Sequence, residues 1–225
     1  MIRAALFDLD GTLLNRRQSL ECFISDQYDR YAGHFTSINK TEYCSCFMEL
    51  DNNGYTGKDK VYSTLLKEYN ITHLTPEQLL HDYVTKFSNH CIPFPNMHEL
   101  LQQLQKKNIK IGIITNGMTE FQMSNIRALQ LHTYTNTILV SEAEGIKKPN
   151  PAIFERALQR LNVPAEECIY VGDHPKNDVI GAENAGISAV WKKDLFWGNF
   201  EHSRVALDLL EVLSFVKLEQ IRYEP

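Results

Sequence analysis

Short apolar runs alternate with amphipathic stretches over most of this chain. The apolar runs end at polar residues, which predicts strands at residues 2–7, 109–115, 137–140, 168–171 and 188–191. Between these runs apolar residues recur at helical spacing, and Asn150-Pro151 has the composition of a helix start. Strands that alternate with helices in this way predict an α/β fold with a parallel sheet.

The segment from about residue 16 to residue 92 has a different pattern. Its apolar residues recur at helical spacing, as in the stripe of Val61, Leu65 and Tyr69, and residues 75–78 resemble a helix start. A separate amino-terminal domain does not fit, because the first strand precedes this segment and needs later strands for pairing. We therefore expect a core of residues 1–15 and 93–225 with an all-helical insert of residues 16–92.

Asp8 and Asp10 directly follow the first predicted strand. Residues two apart in a strand point the same way, so both carboxylates can converge where the strand ends. Gly11 permits a sharp turn there. Two adjacent carboxylates repel unless they share a proton or bind a cation, and the pair suits an aspartyl nucleophile with an acid/base partner beside a divalent metal. Taken alone, Asp10-Gly11 is equally typical of a plain turn.

More polar residues follow later strands, at the sheet edge where ligands bind in open parallel sheets. Each has a plainer interpretation. Thr115 and Asn116 could cap a helix, and Lys148 could be a solvated surface residue. Asp173 and Asp178 could interact with a helix dipole. Their joint order favours a site: an acid pair, a hydroxyl, a lysine and a second acid pair.

This ordered set resembles the haloacid dehalogenase-like hydrolase superfamily. The matching motifs are Asp8-Leu9-Asp10-Gly11-Thr12, Thr115-Asn116, Lys148-Pro149, and Gly172-Asp173 with Asp178. The resemblance implies a Rossmann-like three-layer core with a parallel sheet and Mg²⁺-dependent phosphatase chemistry. It also implies that Asp8 is the nucleophile that forms an aspartyl-phosphate. Asp10 would protonate the leaving oxygen and then activate water.

The same resemblance implies roles for the other motif residues. The metal ligands would be Asp8, the Asp10 backbone carbonyl, Asp173 and, directly or through water, Asp178. The phosphoryl group would be bound by Thr115 and Lys148, with backbone N–H groups near Leu9 and Asn116. Mg²⁺ prefers hard oxygen ligands, and phosphoryl transfer mainly needs positioning and charge neutralisation, so these residue types suit the chemistry.

Two positions bear on the choice within the superfamily. Dehalogenating members resemble this chain but lack the second aspartate of the first motif, so Asp10 favours phosphate ester chemistry. His174 stands where many relatives carry a smaller residue, and it either tunes the site or faces solvent. The predicted function is hydrolysis of a small nucleotide or sugar phosphate. A sugar phosphomutase and a non-catalytic phosphate-binding module are the alternatives.

The helical insert looks like the family's cap, which would cover small soluble substrates and contact the leaving group. The polar, glycine-containing segment 52–58 could equally be an ordinary connecting loop. Candidate specificity residues are Arg16, Arg17, Asn52, Asn53, Tyr55 and Lys58.

Composition limits the classes of partner. The chain of 225 residues has a net charge of −5 and no block rich in lysine and arginine, so neither nucleic acid nor a membrane surface is an expected partner. No window approaches the ~18 apolar residues of a membrane span. Five cysteines, an odd number, without a secretory signal predict reduced thiols and a cytoplasmic location. The expected oligomeric state is a monomer or a homodimer. Residues 196–200 are expected to cover a sheet edge or to form a patch for a partner subunit.

Overall fold

A computed structural model describes residues 1–217, and its centre is a six-stranded sheet. The strand order is β3-β2-β1-β4-β5-β6, and every neighbouring pair is parallel. The predicted parallel α/β fold is confirmed, as are its five strands; the sixth was missed because it has two residues. The strands are β1 (Ala4–Phe7), β2 (Lys110–Thr115), β3 (Ile138–Val140), β4 (Cys168–Gly172), β5 (Ser188–Lys192) and β6 (Val205–Ala206).

Contacts between residues divide the chain into two compact units, one of Arg16–Ile92 and one of Met1–Asn15 with the residues from Pro93 onward. The unit Arg16–Ile92, all of which the structure describes, contains helices and no strand. Thr75 and Gln78 form a capping box at the start of the helix Pro76–Lys86, where the sequence predicted a helix start. The α-helices of this unit are α1 (Arg16–Arg30), α2 (Lys40–Asp51), α3 (Lys58–Glu68) and α4 (Pro76–Lys86).

The unit that holds the sheet carries the other helices. Asn150 caps α8 through its side chain, with proline at the first helical position, as predicted. Residues 218–225, which the prediction placed in this core, lie outside the described part of the chain. Within residues 1–217 no helix combines the length and apolarity needed to cross a membrane. The helices are α5 (Met97–Lys106), α6 (Thr119–Ala128), α7 (Ser141–Glu144), α8 (Pro151–Leu161), α9 (Gly181–Asn184) and α10 (Val212–Lys217).

The position of β1 in the middle of the sheet brings the chemistry to one edge. β1 pairs with β2 on one side and with β4 on the other. All four of its residues are fully buried. Phe7 lies in register with Ile113 and Val171, near the carboxyl ends of those two strands. The residues that follow β1, β2 and β4 therefore emerge side by side.

A buried polar network occupies the interior of the helical unit. The hydroxyls of Tyr43 and Tyr62 both donate to Gln27 Oε1 at 3.0 Å, and Gln27 Nε2 donates to Asp82 Oδ2 at 3.0 Å. Asp82 also pairs with Arg30. Each polar group of this network has a partner, as burial requires.

Asp51 is a second buried acid of the helical unit and ends α2. Its carboxylate accepts from Arg16 Nη2 at 3.0 and 3.1 Å and also pairs with Lys58. The Asp51 side chain is 1% exposed, and those of Arg16 and Lys58 are 17% and 11% exposed. This carboxylate ties the starts of α1 and α3 to the end of α2.

We predict that Asp51→Ala lowers the free energy of unfolding by about 3 kcal/mol, because two partly buried cations lose their common acceptor. Urea unfolding followed by circular dichroism measures the change. Asp59→Ala, which removes an exposed carboxylate of the neighbouring helix, is the matched control and should change stability little. Equal effects of the two substitutions would contradict the tying role of Asp51.

Candidate active site

Lys148 is a buried cation that ties two acidic residues together. Its Nζ donates to Asp8 Oδ1 at 2.5 Å, to Asp178 Oδ1 at 2.7 Å and to the Tyr170 hydroxyl at 2.9 Å. Only 3% of the lysine is exposed, so the alternative of a solvated surface lysine is wrong. Tyr170 was not predicted as a site residue. Its position inside an apolar strand was the available indication, because a buried tyrosine hydroxyl needs a polar partner.

Asp8, Asp173 and Asp178 form a compact group of buried carboxylates. One oxygen of each lies within 4.8 Å of the others. The second oxygen of Asp178 accepts from the His174 backbone N–H at 3.0 Å. Three ionised carboxylates exceed the single positive charge of Lys148, so the group favours a further cation. A set of carboxylate oxygens is the donor chemistry that Mg²⁺ prefers.

The electrostatics of this group support the same conclusion. Burial raises the pKa of Asp8 to about 7, although Lys148 opposes the shift. Burial and the charges of Asp8 and Asp178 raise the pKa of Asp173 well above its usual range. Burial opposes the charge of Lys148, but Asp178 and Asp8 outweigh it and raise the pKa of its ammonium. A divalent cation would stabilise the ionised carboxylates in place of protons, so the residues present fit a metal site.

Gln122 connects Asp10 to the end of β2. Its Nε2 donates to Asp10 Oδ2 at 2.6 Å, to Thr115 Oγ1 at 3.1 Å and to the Asn116 carbonyl at 3.1 Å. Its Oε1 accepts from Asn125 at 3.3 Å. Since the Thr115 oxygen accepts from Gln122, the hydroxyl proton is left to donate elsewhere. Sequence analysis missed Gln122; the signal was a pair of polar residues three apart on the buried side of α6.

Asn116 positions the chain around Lys148. Its Nδ2 donates to the Lys148 carbonyl at 3.0 Å, and the Lys148 N–H donates back to Asn116 Oδ1 at 2.9 Å. The alternative that Thr115-Asn116 caps the following helix is wrong, because α6 begins at Thr119 and its N-cap residue is Met118. Both ends of the Asn116 amide thus bind the backbone of Lys148 and fix its position.

Two glycines allow the acidic residues to approach. Gly11 has a φ of +88°, and a Cβ there would lie 2.7 Å from Asp173 Cγ. A Cβ on Gly172 would lie 2.4 Å from Asp178 Cβ. Both distances are well below contact, so a side chain at either position would displace an acid of the group.

His174 supports the turn that carries Asp178. Its Nδ1 accepts from the backbone N–H groups of Lys176 and Asn177, at 3.1 and 3.3 Å. Burial lowers the pKa of His174, in agreement with a neutral ring that accepts these bonds. The ring is half-buried and packs against Trp197 in a tilted arrangement, so the suggestion that it merely faces solvent is wrong.

The six candidate specificity residues all lie in the helical unit. Arg16 and Lys58 direct their charges to Asp51, as described above. Asn53 is exposed in a left-handed turn with a φ of 53°, and Tyr55 is 59% exposed. A role in specificity stays a prediction for all six.

Removing the buried cation should expose the repulsion within the acid group. We predict that Lys148→Met lowers the free energy of unfolding by about 3 kcal/mol in metal-free buffer, because Asp8 and Asp178 lose their common partner. Chemical unfolding of the variant and of Lys147→Met, whose lysine is the exposed neighbour, measures the difference. A Lys148→Met protein as stable as the Lys147→Met control would refute this neutralising role.

Comparison with known proteins agrees with this geometry. The family description "Haloacid dehalogenase-like hydrolase" matches residues 5–192. A glyceraldehyde 3-phosphate phosphatase of Pyrococcus furiosus is 31% identical over 196 residues, which are 85% of this chain and 81% of that protein. Pyrimidine 5'-nucleotidase YjjG of Escherichia coli is 32% identical over 120 residues, 53% of each chain. The magnesium-bound structure of the HAD-hydrolase YfnB from Bacillus subtilis superposes with a TM-score of 0.74 at 22% identity, covering 96% of this chain and 98% of that one. The chain therefore belongs to the haloacid dehalogenase-like hydrolases.

Proposed function

We propose that this hydrolase is a Mg²⁺-dependent phosphatase that acts on small phosphate monoesters, such as a nucleotide or sugar phosphate, through an aspartyl-phosphate on Asp8. The proposal rests on one observation: the carboxylates of Asp8 and Asp10 have different hydrogen-bond partners. Asp8 contacts Lys148 within the acid group, whereas Asp10 is held by Gln122. The similarity to phosphatases named for small phosphorylated compounds supports the substrate class.

The acid group would hold the metal. Asp8, Asp173 and Asp178 would bind Mg²⁺ through carboxylate oxygens, and Asp10 would add its backbone carbonyl. When bound, Mg²⁺ supplies positive charge to the transferring phosphoryl group and to the carboxylates around it. Lys148 provides a second positive charge, and its ammonium already contacts Asp8 Oδ1.

Asp8 and Asp10 would have distinct roles in the two steps of the reaction. The Asp8 carboxylate attacks phosphorus, the ester bond breaks, and the leaving oxygen takes a proton from Asp10. In the second step Asp10 accepts a proton from a water molecule, whose oxygen attacks the phosphorus of the aspartyl-phosphate. Phosphate leaves, and the carboxylate of Asp8 is restored. Asp10 thus ends in the protonation state in which it began.

The phosphoryl oxygens need donors that are already oriented. The Thr115 hydroxyl is suited to this role because its oxygen accepts from Gln122 and its proton is left to donate. The three N–H groups of the Lys148 ammonium already contact Asp8, Tyr170 and Asp178, so this residue would contribute its fixed positive charge. Preorganised donors and charges stabilise developing charge without reorganisation during the reaction.

The helical unit is the proposed cap and would contact the leaving group. Of its candidates, Arg16 and Lys58 bring two positive charges to one carboxylate, which leaves a net positive charge beside Asp51. Such a charge favours leaving groups that carry an acidic substituent. The cytoplasmic location and the monomeric or homodimeric state stay predictions.

The assignment of the two aspartates is tested with p-nitrophenyl phosphate and Mg²⁺. Asp8→Asn should abolish turnover, and a chelator should do the same for the wild-type protein. Asp10→Asn should slow turnover by roughly 10²–10⁴-fold, the range of general acid–base catalysis. Because p-nitrophenolate leaves without a proton, Asp10→Asn should accumulate the phosphorylated protein, visible by intact-mass measurement.

The products separate the alternatives. Release of inorganic phosphate from a panel of phosphorylated metabolites supports a phosphatase, whereas conversion of a sugar phosphate to its isomer without phosphate release would identify a mutase. Ligand binding without either product would identify a binding module. Full activity in Asp8→Asn would overturn the nucleophile assignment.

Gln122→Leu tests the support of Asp10. We predict a fall in kcat of roughly 10- to 100-fold, part of the contribution of general acid–base catalysis, with Mg²⁺ affinity nearly unchanged. The amide contacts Asp10 and Thr115, and no hydrogen bond links it to the three carboxylates of the acid group. Gln102→Leu, which removes an exposed helical glutamine, is the control. A variant with wild-type kcat would show that Asp10 needs no such support.

A further inference from the structure

Both tryptophans of the chain donate their indole N–H groups to the same residue, Asp173. Trp191 Nε1 lies 2.7 Å from the Asp173 backbone carbonyl, and Trp197 Nε1 lies 3.2 Å from Asp173 Oδ2. The sequence contains two tryptophans in all. One bond therefore restrains the main chain of this acid, and the other restrains its carboxylate.

The two indoles are held in different ways. Trp191 is 2% exposed within β5, so its bond to the Asp173 carbonyl is part of the core. Trp197 ends a short turn, Leu195–Trp197, in which the Phe196 N–H donates to Asp194 Oδ1 at 2.8 Å. Its ring contacts that of His174 with a centroid distance of 4.2 Å and a tilt of 32°. The neighbouring Asp178 turn and the Trp197 turn thus meet at this ring pair.

The Trp197 side chain packs inward although its two preceding neighbours are exposed. Leu195 is 86% exposed and Phe196 is 48% exposed, while Trp197 and Phe200 pack against the core. Within residues 196–200, Trp197 and Phe200 therefore cover part of the core, while cover of a sheet edge and a patch for a partner subunit stay predictions. Packing alone does not require a nitrogen at the edge of this ring, and the indole N–H points at an acid of the proposed metal site.

We propose that Trp197 is a positioning residue that holds the Asp173 carboxylate for the bound cation. The inference rests on the proposed metal-dependent function. An indole N–H can only donate, so it engages one lone pair of Oδ2 and limits rotation of the carboxylate. The remaining lone pairs stay available to the cation. Hydrogen-bond partners of metal ligands commonly tune affinity in this way.

The test compares Mg²⁺ affinity in Trp197→Phe and wild-type protein by isothermal titration calorimetry. Removal of the N–H with retention of an aromatic ring should weaken Mg²⁺ binding roughly 10-fold, the lower end of the usual effect of such partners. Turnover at saturating Mg²⁺ should return to within about twofold of wild type, because the residue acts through Asp173. Phe200→Leu removes an aromatic ring that packs on Trp191 and should leave the affinity unchanged.

Asp173→Asn separates failure of this inference from failure of the proposed function. If Asp173→Asn binds Mg²⁺ as wild type does, the proposed metal site itself is wrong. If Asp173→Asn loses binding while Trp197→Phe keeps wild-type affinity, the positioning role of Trp197 is overturned. A loss of turnover in Trp197→Phe that excess Mg²⁺ does not restore would also overturn it, since it would indicate a structural role.

A second measurement uses the unaltered protein and does not depend on the folding of a variant. Tryptophan emission should change during titration with Mg²⁺, with the midpoint found by calorimetry, because both indoles contact Asp173. Calorimetric binding without any change in emission would contradict the inference.

Discussion

The structure depends on the placement of one buried ammonium among carboxylates. Lys148 contacts Asp8 and Asp178 while nearly all of it is removed from water. Burial of a charge is expensive unless partners with good geometry replace the solvent. Tyr170 supplies the third contact of the ammonium, and Asn116 holds the main chain on either side of the lysine. Without this cation, the acids that follow β1 and β4 would repel one another.

Neighbouring acids of the site are held by different residues and so have different surroundings. Gln122 holds Asp10 from the side of β2, and Lys148 holds Asp8. Two indoles hold Asp173 from the side of β5. Because each support comes from a different part of the sheet unit, Asp8, Asp10 and Asp173 lie close together but have different hydrogen-bond partners. In the proposed mechanism this difference would let Asp10 carry a proton while Asp8 serves as the nucleophile.

The residues of the motifs were predictable from the sequence because local patterns identify strand ends. Parallel pairing then brings Asp8, Thr115 and Asp173 to one edge. The supporting residues were less predictable. Gln122 lies inside a helix and Trp197 in a short turn, and no local pattern shows which buried polar atom faces which acid. Long-range packing decides this, as it decided that Asn116 binds the Lys148 backbone and does not cap a helix.

The central place of β1 also has a consequence for how the protein is made. Ala4–Phe7 leaves the ribosome before its two strand partners, Lys110–Thr115 and Cys168–Gly172, are synthesised. The helical unit Arg16–Ile92 lies between β1 and β2 in the sequence, and its contacts are local. It can therefore fold while β1 is still unpaired. The nascent chain must therefore keep a fully apolar strand from other contacts until both partner strands have been made. The acid group can come together only after β4 and the Asp178 turn exist, so the proposed metal site would form no earlier than that point.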